Sequence, residues 1–355
     1  MGLGIAIAAG DTPDPDLTNA VWVEVHERMG ETTTYCIRYD IDVEQGDFPL
    51  LTDGRLDPGS TLAVIARSSA GKLHYLVKGP VTGQRIHYLH GGTDSYVKVQ
   101  GADTSVIMDR ETRSKVWADV ADSDAVTSIL GQPDYNVTPD VADTQAQHLQ
   151  DKHSLVQRDS DLRFVRRLAR RNGFMFWIDC DETGTETAHF KRPVLGGDPA
   201  LNLDINLDTN NLAALELSWD VERPTSVVAA QLDLNDKSTV DGDVDKSPLT
   251  ALGTSALADI TGDTRSILLV APVDDSGDLQ GRGEGTLIES DWFVRATCQT
   301  SAKALGDIVR ANTIVNLRGV GTRHSGKYYV ASVRHFIDPT MHSMEIELIR
   351  NGWGN

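Results

Sequence analysis

Cysteine is scarce in this 355-residue chain, and long apolar runs are missing. The three cysteines, Cys36, Cys180 and Cys298, form no CxxC pair, which excludes a disulfide framework and a cysteine-based metal or redox site. We predict small buried thiols in a reducing compartment. No run of about 18 uncharged apolar residues occurs, and the opening residues lack the basic start and the length of a secretory signal. The sequence therefore predicts a soluble protein that is made in a cytoplasm.

Positive charge is also in short supply. The chain has 33 Lys and Arg against 52 Asp and Glu, a formal net charge of -19. Such an acidic chain repels phosphate, so nucleic-acid binding through phosphate contacts is disfavoured. Acidity favours solubility or an acidic working surface instead. The length predicts two or three compact units, each with its own core.

Strand patterns dominate the first hundred residues. From Thr34 to Val43 apolar and polar side chains alternate, which indicates a half-buried antiparallel strand. Similar β-rich runs, separated by turn-forming clusters, occur at 21–26, 61–67, 73–78, 84–90 and 94–100. They predict a first β-barrel domain over 20–103. Residues 1–19, with three Asp and two Pro among small residues, predict a loosely held arm that becomes ordered on assembly.

A helical pattern begins near residue 105. Apolar residues at helical spacing over 125–130 lie between an Asp or Ser cap and Gly131. The strongest helix pattern runs from Asp159 to Asn172, and Gly173 can adopt a positive φ after its last turn. The run FMFWID then predicts a strand, with HFKRP as a hairpin partner. These features predict a mixed helix and strand domain over 104–200.

The second half of the chain returns to strand patterns over 201–234 and 287–355, which predict a second β-barrel domain. Between them, 235–286 is predicted to be an acidic, loop-rich insertion with one apolar run, ILLVAP. A helix is predicted from about Ser290 to Arg310, because apolar residues recur there at spacings of three and four. Three closing strands are predicted in ANTIVNLRG, GKYYVASVRHFID and MHSMEIELIR. The predicted fold is mainly β with α+β parts, in which two similar barrels flank a helix-containing middle domain.

The histidines do not form a metal-binding motif in the sequence. No HExxH occurs, and strand geometry places His87 and His90 on opposite faces. His26 and His74 lie in other strand-like segments. A zinc or catalytic cluster is conceivable, but we predict that these four histidines are scattered and structural.

Two further patterns fall short of a ligand site. The run DGDVD at 241–245 resembles the first half of a calcium loop, yet Lys246 and Leu252 stand where glycine and a bidentate Glu are required. The glycines at 281–285 and 319–321 complete neither GxGxxG nor the P-loop pattern. We predict a solvated acidic loop, turn glycines, and no catalytic residue, cofactor or metal.

The densest positive charge lies on the predicted helix over 159–172. Its five arginines are Arg163, Arg166, Arg167, Arg170 and Arg171. One interpretation is a solvated face, since the helix dipole favours Arg near a C terminus. Another is a subunit interface, in which the helix docks against an acidic patch of a neighbouring chain. Nucleic-acid binding is a more distant third.

Three stretches taken together resemble the phage late control gene D family, the baseplate hub proteins that are also fused at the front of VgrG spikes in type VI secretion. SDAVTSILGQ is similar to the family's short helix ahead of an extended linker. LVQRDSDLRFVRRLARRNGFMFWID, at 155–179, is similar to its capped helix followed by Asn-Gly and an aromatic strand. LRGVGTRHSGKYYVASVRHFID, at 317–338, resembles its closing signature. A weaker resemblance extends over most of 20–350.

The resemblance implies a homotrimer in which each chain contributes two barrels, so that three chains form a ring with pseudo-six-fold symmetry around a channel. Such a hub adapts a six-fold tail tube to a three-fold spike. The implied partners are a separate central spike protein, a tail tube or tube-initiator protein, and baseplate wedge and tape-measure proteins. Neither sequence-specific nucleic-acid binding nor membrane insertion is expected. The expected location is the tail baseplate of a virion or injection system, assembled in the host bacterial cytoplasm.

Two alternatives stay open at this point. A tail-tip peptidoglycan hydrolase rests on association alone, and the front half of a VgrG-type spike requires the chain to continue beyond Asn355. Because the sequence ends soon after the last predicted strand, a hub without a fused spike is expected. We expect no enzymatic activity. We also hypothesise that acidic side chains line the channel and repel DNA or cargo.

Overall fold

The computed structural model describes residues 4–10, 12–42, 48–150, 154–232, 237–262, 264–271 and 276–354. Strands make up most of its regular structure, as predicted. The first seven strands are β1 (Ile5–Ala9), β2 (Thr12–Pro13), β3 (Trp22–Arg28), β4 (Thr34–Asp40), β5 (Thr61–Arg67), β6 (Leu73–His87) and β7 (Tyr96–Ala102). Short 3-10 helices occupy Pro49–Thr52, Gly54–Leu56 and Thr104–Asp109. The end of the predicted strand over 34–43, at Val43, lies outside the described residues.

The N-terminal segment is part of the core, so the prediction of a loosely held arm is wrong for its described residues. β1 pairs antiparallel with β5 along its whole length, and Ile7 and Leu17 are completely buried. Asp14, one of the acidic residues that suggested an arm, instead shapes a turn. Asp14 accepts hydrogen bonds from the backbone of residues 16 and 17 and forms an ion pair with Arg55.

One long strand replaces the two predicted at 73–78 and 84–90. β6 pairs with β5 as far as Pro80 and with β7 from Val81 to His87. Glycine at position 79 lets β6 pass close to the end of β7, because a Cβ atom there would lie only 2.0 Å from the carbonyl oxygen of Ala102. The Gly and Pro residues that suggested a break therefore mark a change of partner within one strand.

The middle of the chain contains both predicted helices. Its elements are β8 (Lys115–Trp117), β9 (Val120–Ala121), α1 (Asp122–Leu130), β10 (Thr138–Val141), β11 (Gln147–His148), β12 (Leu155–Gln157), α2 (Asp161–Arg171), β13 (Met175–Cys180) and β14 (Glu186–Lys191). The Ser160 side chain accepts a hydrogen bond from Arg163 N, which caps α2, and Gly173 has the predicted positive φ of 64°. β13 and β14 pair antiparallel, which confirms the predicted hairpin. The helices and this hairpin share one core around Phe164, Phe176 and Phe190.

The remaining elements include the three predicted closing strands. They are β15 (Leu201–Asp204), β16 (Ala214–Trp219), β17 (Ser226–Leu232), β18 (Thr239–Asp241), α3 (Leu257–Thr261), β19 (Ser266–Leu269), α4 (Ser276–Ser290), β20 (Val294–Ser301), α5 (Ala302–Leu305), β21 (Ile314–Arg318), β22 (Gly326–Ile337) and β23 (His342–Arg350). None of the helices in the described ranges is long and apolar enough to cross a bilayer.

The helix predicted over Ser290–Arg310 is wrong. β20 occupies most of this range, and only the single turn of α5 follows it. Buried and exposed side chains alternate strictly along β20, with Val294, Ala296 and Cys298 facing the core. The same apolar residues fit both a period of two and helical spacing. Pairing with β16 and β23 on either side therefore decides that the segment forms a strand.

Thirteen strands form one continuous sheet that joins the two ends of the chain. Its order is β16-β20-β23-β22-β3-β4-β7-β6-β5-β1-β2, with β21 beside β22 and β15 beside β21. β3 pairs antiparallel with β22, so the strands of the first block and of the last share a sheet and a core. The domain boundaries given above stay a prediction.

The segment predicted as a loop-rich insertion contributes to a small layered unit. β17 pairs with β18 antiparallel and with β19 in parallel, and this three-stranded sheet is separate from the large one. α4 covers one face of it through Leu279 and Leu287. The glycines at 281–285 therefore lie in a helix and are not turn residues, whereas Gly319 and Gly321 have the positive φ expected of turns.

Of the three glycines at 281–285, two are required for packing and one is not. A Cβ atom on Gly285 would lie 2.8 Å from Gly173 N and 2.9 Å from the carbonyl oxygen of Arg170. On Gly283 it would lie 2.8 Å from Val244 Cγ2. On Gly281 it would meet only Asn172 Oδ1, at 3.9 Å. α4 therefore approaches α2 and the small sheet more closely than side chains would allow.

Alanine at position 281 and alanine at position 285 are expected to change the free energy of unfolding in opposite directions. Gly281→Ala should raise the free energy of unfolding by about 0.5–1 kcal/mol, because alanine loses less backbone entropy in a helix. Gly285→Ala should lower it by about 1–3 kcal/mol, because the methyl group clashes with backbone atoms. Urea unfolding of the two variants measures both effects. Shifts of the same sign would contradict the packing of α4 on α2.

Candidate assembly surfaces

The five arginines of α2 lie in three different surroundings. Arg163 is 74% exposed and forms an ion pair with Asp109, and Arg167 is 46% exposed and forms one with Asp159. Arg166 and Arg170 line a groove, and Arg171 is nearly buried. The five arginines therefore do not form one continuous surface, and their role as a subunit interface stays a prediction.

Arg171 holds the middle of the chain together from within. Its Nε donates to Asp122 Oδ2 at 2.6 Å, and Asn172 Nδ2 donates to the same oxygen at 2.7 Å. His148 Nε2 lies 2.9 Å from Asp122 Oδ1. Burial alone would raise the pKa of Asp122, but these hydrogen bonds and the charge of Arg171 hold it at about 2. This network joins the start of α1 to the end of α2.

The groove beside Arg166 and Arg170 has a volume of about 730 Å³ and lies between α2, α4 and the large sheet. Arg166 donates to Thr32 Oγ1 at 2.8 Å. The apolar part of its lining includes Met29, Met175 and Trp292. The other charged side chains of its rim pair within the chain, as Arg28 with Glu31, Arg170 with Glu289, and Arg295 with Glu347. The groove therefore carries little unpaired charge.

A basic surface with an apolar centre lies on the other side of α2. β8 and β12 form a two-stranded ribbon in which Val116 is the cross-strand partner of Val156, and these side chains are 62% and 36% exposed. The guanidinium of Arg167 donates to the carbonyl oxygen of Val156 at 3.2 Å. We call this surface the basic face; it consists of Val116, Val156, Arg158, Arg163 and Arg167.

The ribbon packs directly on α2. The ring of Trp117 in β8 stacks on Phe164 of α2 with centroids 6.3 Å apart, and Trp117 Nε1 donates to Gln157 Oε1 in β12. Lys115 lies over the Trp117 ring at 3.3 Å. Within the described residues, neither Lys115 nor Arg158 forms an ion pair.

A second apolar surface, which the sequence analysis missed, lies on the small sheet. One face of that sheet is covered by α4, and the other is open. We call this open side the sheet face; its residues are Val228, Ala230, Leu268 and Val270. Leu268 is 69% and Val270 73% exposed, the highest values among the exposed large apolar side chains of the described residues. The uninterrupted apolar run ILLV was the available signal, because a strand without polar alternation has two apolar faces.

The basic face and the sheet face lie at opposite ends of one stack of elements. The ribbon packs on the Phe164 side of α2, and Gly173, beyond the end of α2, meets Gly285 of α4. Arg166 and Arg170 line the groove beside α4, and they lie about 200° and about 240° around the helix from Phe164. The opposite side of α4 packs against Val227 and Ala229 of β17. The order in space is ribbon, α2, α4 and small sheet.

The histidines considered as metal ligands lie apart. His26 Nε2 is 3.0 Å from Ser332 Oγ, His74 Nε2 is 3.0 Å from Asp307 Oδ1, and the His87 ring stacks on Tyr96. His90 is exposed beyond the end of β6. Across the part of the chain that the structure describes, no group of three or more His, Cys, Asp or Glu residues is arranged to hold a metal ion.

The DGDVD run and the three cysteines, the other groups considered for chemistry, are held by contacts within the fold. Asp243 of the DGDVD run accepts a hydrogen bond from Ala229 N at 2.8 Å, which ties that run to β17. Cys298 is buried, as predicted, while Cys36 and Cys180 are half-buried. Burial raises the pKa of all three thiols, to about 12 for Cys298. A raised pKa lowers the thiolate fraction and hence the reactivity of these cysteines.

Comparisons with known proteins identify a fold shared with tail proteins. A family model described as the Alg8 N-terminal domain matches residues 7–339. No curated protein matches the sequence. The tail protein from Neisseria meningitidis MC58 is 11% identical, with 98% of this chain and 96% of that chain covered and a TM-score of 0.66. The 43 kDa tail protein of prophage MuSo2 from Shewanella oneidensis is 12% identical, with 98% of each chain covered and a TM-score of 0.64.

A secretion protein has the same fold. This component of the E. coli type VI secretion system, itself similar in structure to the T4 tail proteins gp27 and gp5, is 12% identical with a TM-score of 0.59. The alignment covers 94% of this chain and 73% of that one. At such low identity the likeness establishes the fold alone.

Proposed function

The chain belongs to the Alg8 N-terminal domain family, and from the fold that it shares with tail proteins we propose that it is a structural component of a contractile phage tail or a tail-like injection system. The end-to-end match carries this proposal. Two tail proteins align over nearly their whole length, so the similarity is not limited to one common domain.

Within such a tail we propose the role of a baseplate hub, as in the late control gene D family. Three copies form a ring with pseudo-six-fold symmetry that adapts the tail tube to a separate central spike and lines the channel. The resemblance at 155–179 supports this role, because that stretch folds as a compact unit of β12, α2 and β13. The stretch at 317–338 forms the end of β21 and β22, the strand that joins the two strand blocks.

We further propose that the role is structural and not catalytic. Two buried carboxylates are paired with arginines that serve the fold, Asp122 with Arg171 and Glu27 with Arg310. The implied partners are the spike, the tube or tube-initiator protein, and the wedge and tape-measure proteins. The place of action is the tail baseplate, after assembly in the bacterial cytoplasm.

Solution mass and particle imaging test this proposal. The purified chain, alone or with its spike protein, is expected to give particles of three times the 38.6 kDa chain mass with a central opening. A protein that stays monomeric under both conditions would contradict the hub role. Zymography on bacterial cell walls is the companion measurement, in which clearing by the purified chain would contradict a purely structural role.

A further inference from the structure

We propose that neighbouring copies of this chain meet head to tail, with the sheet face of one copy seated on the basic face of the next. This inference rests on the proposed ring and names the two surfaces that build it. It concerns a second copy of the same chain, and neither the spike nor the tube protein is its partner.

The sheet face has the properties of a surface that is covered in the assembled state. Val228 and Leu268 are register partners in a parallel pair, and parallel sheets are ordinarily covered on both faces. Here only the face toward α4 is covered, while Leu268 and Val270 project into solvent. β19 is also the last strand of its sheet, with one edge unpaired among the described residues. Large exposed apolar surface beside an open edge is typical of an interaction site.

Charge indicates that the partner surface is basic. Residues 235–286 contain ten Asp and Glu against four Lys and Arg. Asp241, the cross-strand neighbour of Ala230, and Asp245 are exposed and form no ion pair within the described residues. A surface that fits the sheet face and its aspartates therefore needs an apolar centre surrounded by positively charged side chains.

The basic face meets that requirement on the same chain. Its centre is the Val116 and Val156 pair. Arg158 beside this pair has no carboxylate partner in the described ranges, and Arg163 and Arg167 add further positive charge. Residues 154–172 contain six Arg against two Asp, an excess of positive charge in a chain with a net charge of -19. The sheet face and the basic face each have an apolar centre, and the charges around the two centres are opposite. This complementarity favours contact between the two different faces and disfavours contact between two sheet faces, whose acidic residues would repel.

The positions of the two faces favour a closed assembly of several copies over a two-fold dimer. They lie at opposite ends of the stack of ribbon, α2, α4 and small sheet, so one copy cannot satisfy both of its own faces. A contact between two different surfaces repeats from copy to copy, and it closes into a ring when the rotation permits. The Arg158 and Arg167 side of α2 is then the interface, and the groove at Arg166 and Arg170 is not part of it.

Two variants of the full chain test the pairing. Leu268→Lys with Val270→Lys places cations on the sheet face, and Val116→Glu with Arg158→Glu places carboxylates on the basic face. Each pair is expected to raise the dissociation constant of the contact about 100-fold or more and to leave a monomer in mass photometry, because buried like charges repel. Met341→Lys, at a residue that is 52% exposed and belongs to neither face, is the matched control and should assemble like the wild type.

Mixing the two monomeric variants is the decisive measurement. The first retains an intact basic face and the second an intact sheet face, so the mixture should associate to at least twice the chain mass. Circular dichroism and a thermal melt check that each variant is folded. The single substitutions Val270→Ser and Val116→Ser are milder changes, and each should weaken association less than the charged pairs do.

The outcomes separate this inference from the proposed function. A wild-type ring that persists in both variants would overturn the pairing and leave the hub role intact. Two variants that stay monomeric when mixed, while the wild type forms a ring, would also overturn it. A wild type that never assembles, alone or with the spike protein, would overturn both.

Discussion

Replacing Asp122 with alanine is expected to lower the free energy of unfolding by about 3–5 kcal/mol, because the change leaves a buried cation without its partner. Arg171 has a side chain that is 13% exposed, and its nearest carboxylate is Asp122. Asn172 Nδ2 loses one of its acceptors, and His148 loses the carboxylate 2.9 Å from its Nε2. Urea unfolding at neutral pH, followed by circular dichroism, measures the loss.

Asp159→Ala provides the matched control for this experiment. Asp159 pairs with Arg167, another arginine of α2, but both side chains are more than a third exposed. Exposed pairs of this kind contribute about 0–1 kcal/mol, so the control should stay near the wild type. Equal losses in the two variants would contradict the idea that burial makes the Asp122 pair decisive.

Acid should reduce the difference between wild type and Asp122→Ala. The folded pKa of Asp122 is held at about 2, below its usual value in an unfolded chain of about 3.9. A carboxyl with a lowered folded pKa stabilises the protein above the unfolded pKa, and this contribution is lost as the pH falls toward the folded one. The wild type should therefore lose stability between about pH 5 and pH 2, and the variant should lose less. A difference that stays constant over this range would contradict the network.

The parts of the fold that the sequence predicts are those where local preference and tertiary environment agree. α2 is such a case, because its cap at Ser160, its apolar stripe and Gly173 are all local signals. The closing strands β21, β22 and β23 also follow from local alternation. β20 shows the opposite situation, since its apolar residues fit both periods and only pairing with β16 and β23 selects the strand.

α4 could not be predicted, because its glycines have a tertiary cause. Glycine is unfavourable within a helix, so a run with three glycines indicates a turn when only local preference is considered. The helix forms because Gly285 lets its backbone approach Gly173, and Gly283 makes room for Val244. Information of this kind lies in residues that are far apart in the sequence, 112 positions for Gly285 and Gly173 and 39 for Gly283 and Val244.

The candidate surfaces show a similar division between what local sequence reveals and what it hides. Charge density along α2 identified its arginines, but sequence spacing could not separate the buried Arg171 from the exposed Arg163. The decisive neighbour of Arg171 is Asp122, 49 residues earlier. The sheet face depends on the parallel pairing of β17 with β19, whose register partners are 40 residues apart.

Glu27→Ala is the second change expected to cost about 3–5 kcal/mol, because it breaks a buried ion pair where the two strand blocks join. Glu27, in β3, is 5% exposed. It accepts hydrogen bonds from Arg310 Nε at 2.6 Å and from Ala311 N at 2.9 Å, and His335 Nε2 of β22 lies 3.4 Å away. Burial would raise the pKa of Glu27, but Arg310, His335 and the Ala311 amide lower it below its usual value. The variant leaves a cation and a backbone donor unpaired at the β3 and β22 contact.

Glu24→Ala, in the same strand, separates the effect of burial from that of charge. Glu24 pairs with Arg334 at 2.8 Å, but the two side chains are 29% and 48% exposed, so a loss of about 0–1 kcal/mol is expected. The double variant Glu27→Ala with Arg310→Met should recover part of the loss, because the unpaired cation is also removed. If the double variant were less stable by the sum of the two single changes, Glu27 and Arg310 would not be coupled. Partial recovery would instead show that Glu27 and Arg310 are coupled where the first strand block meets the last.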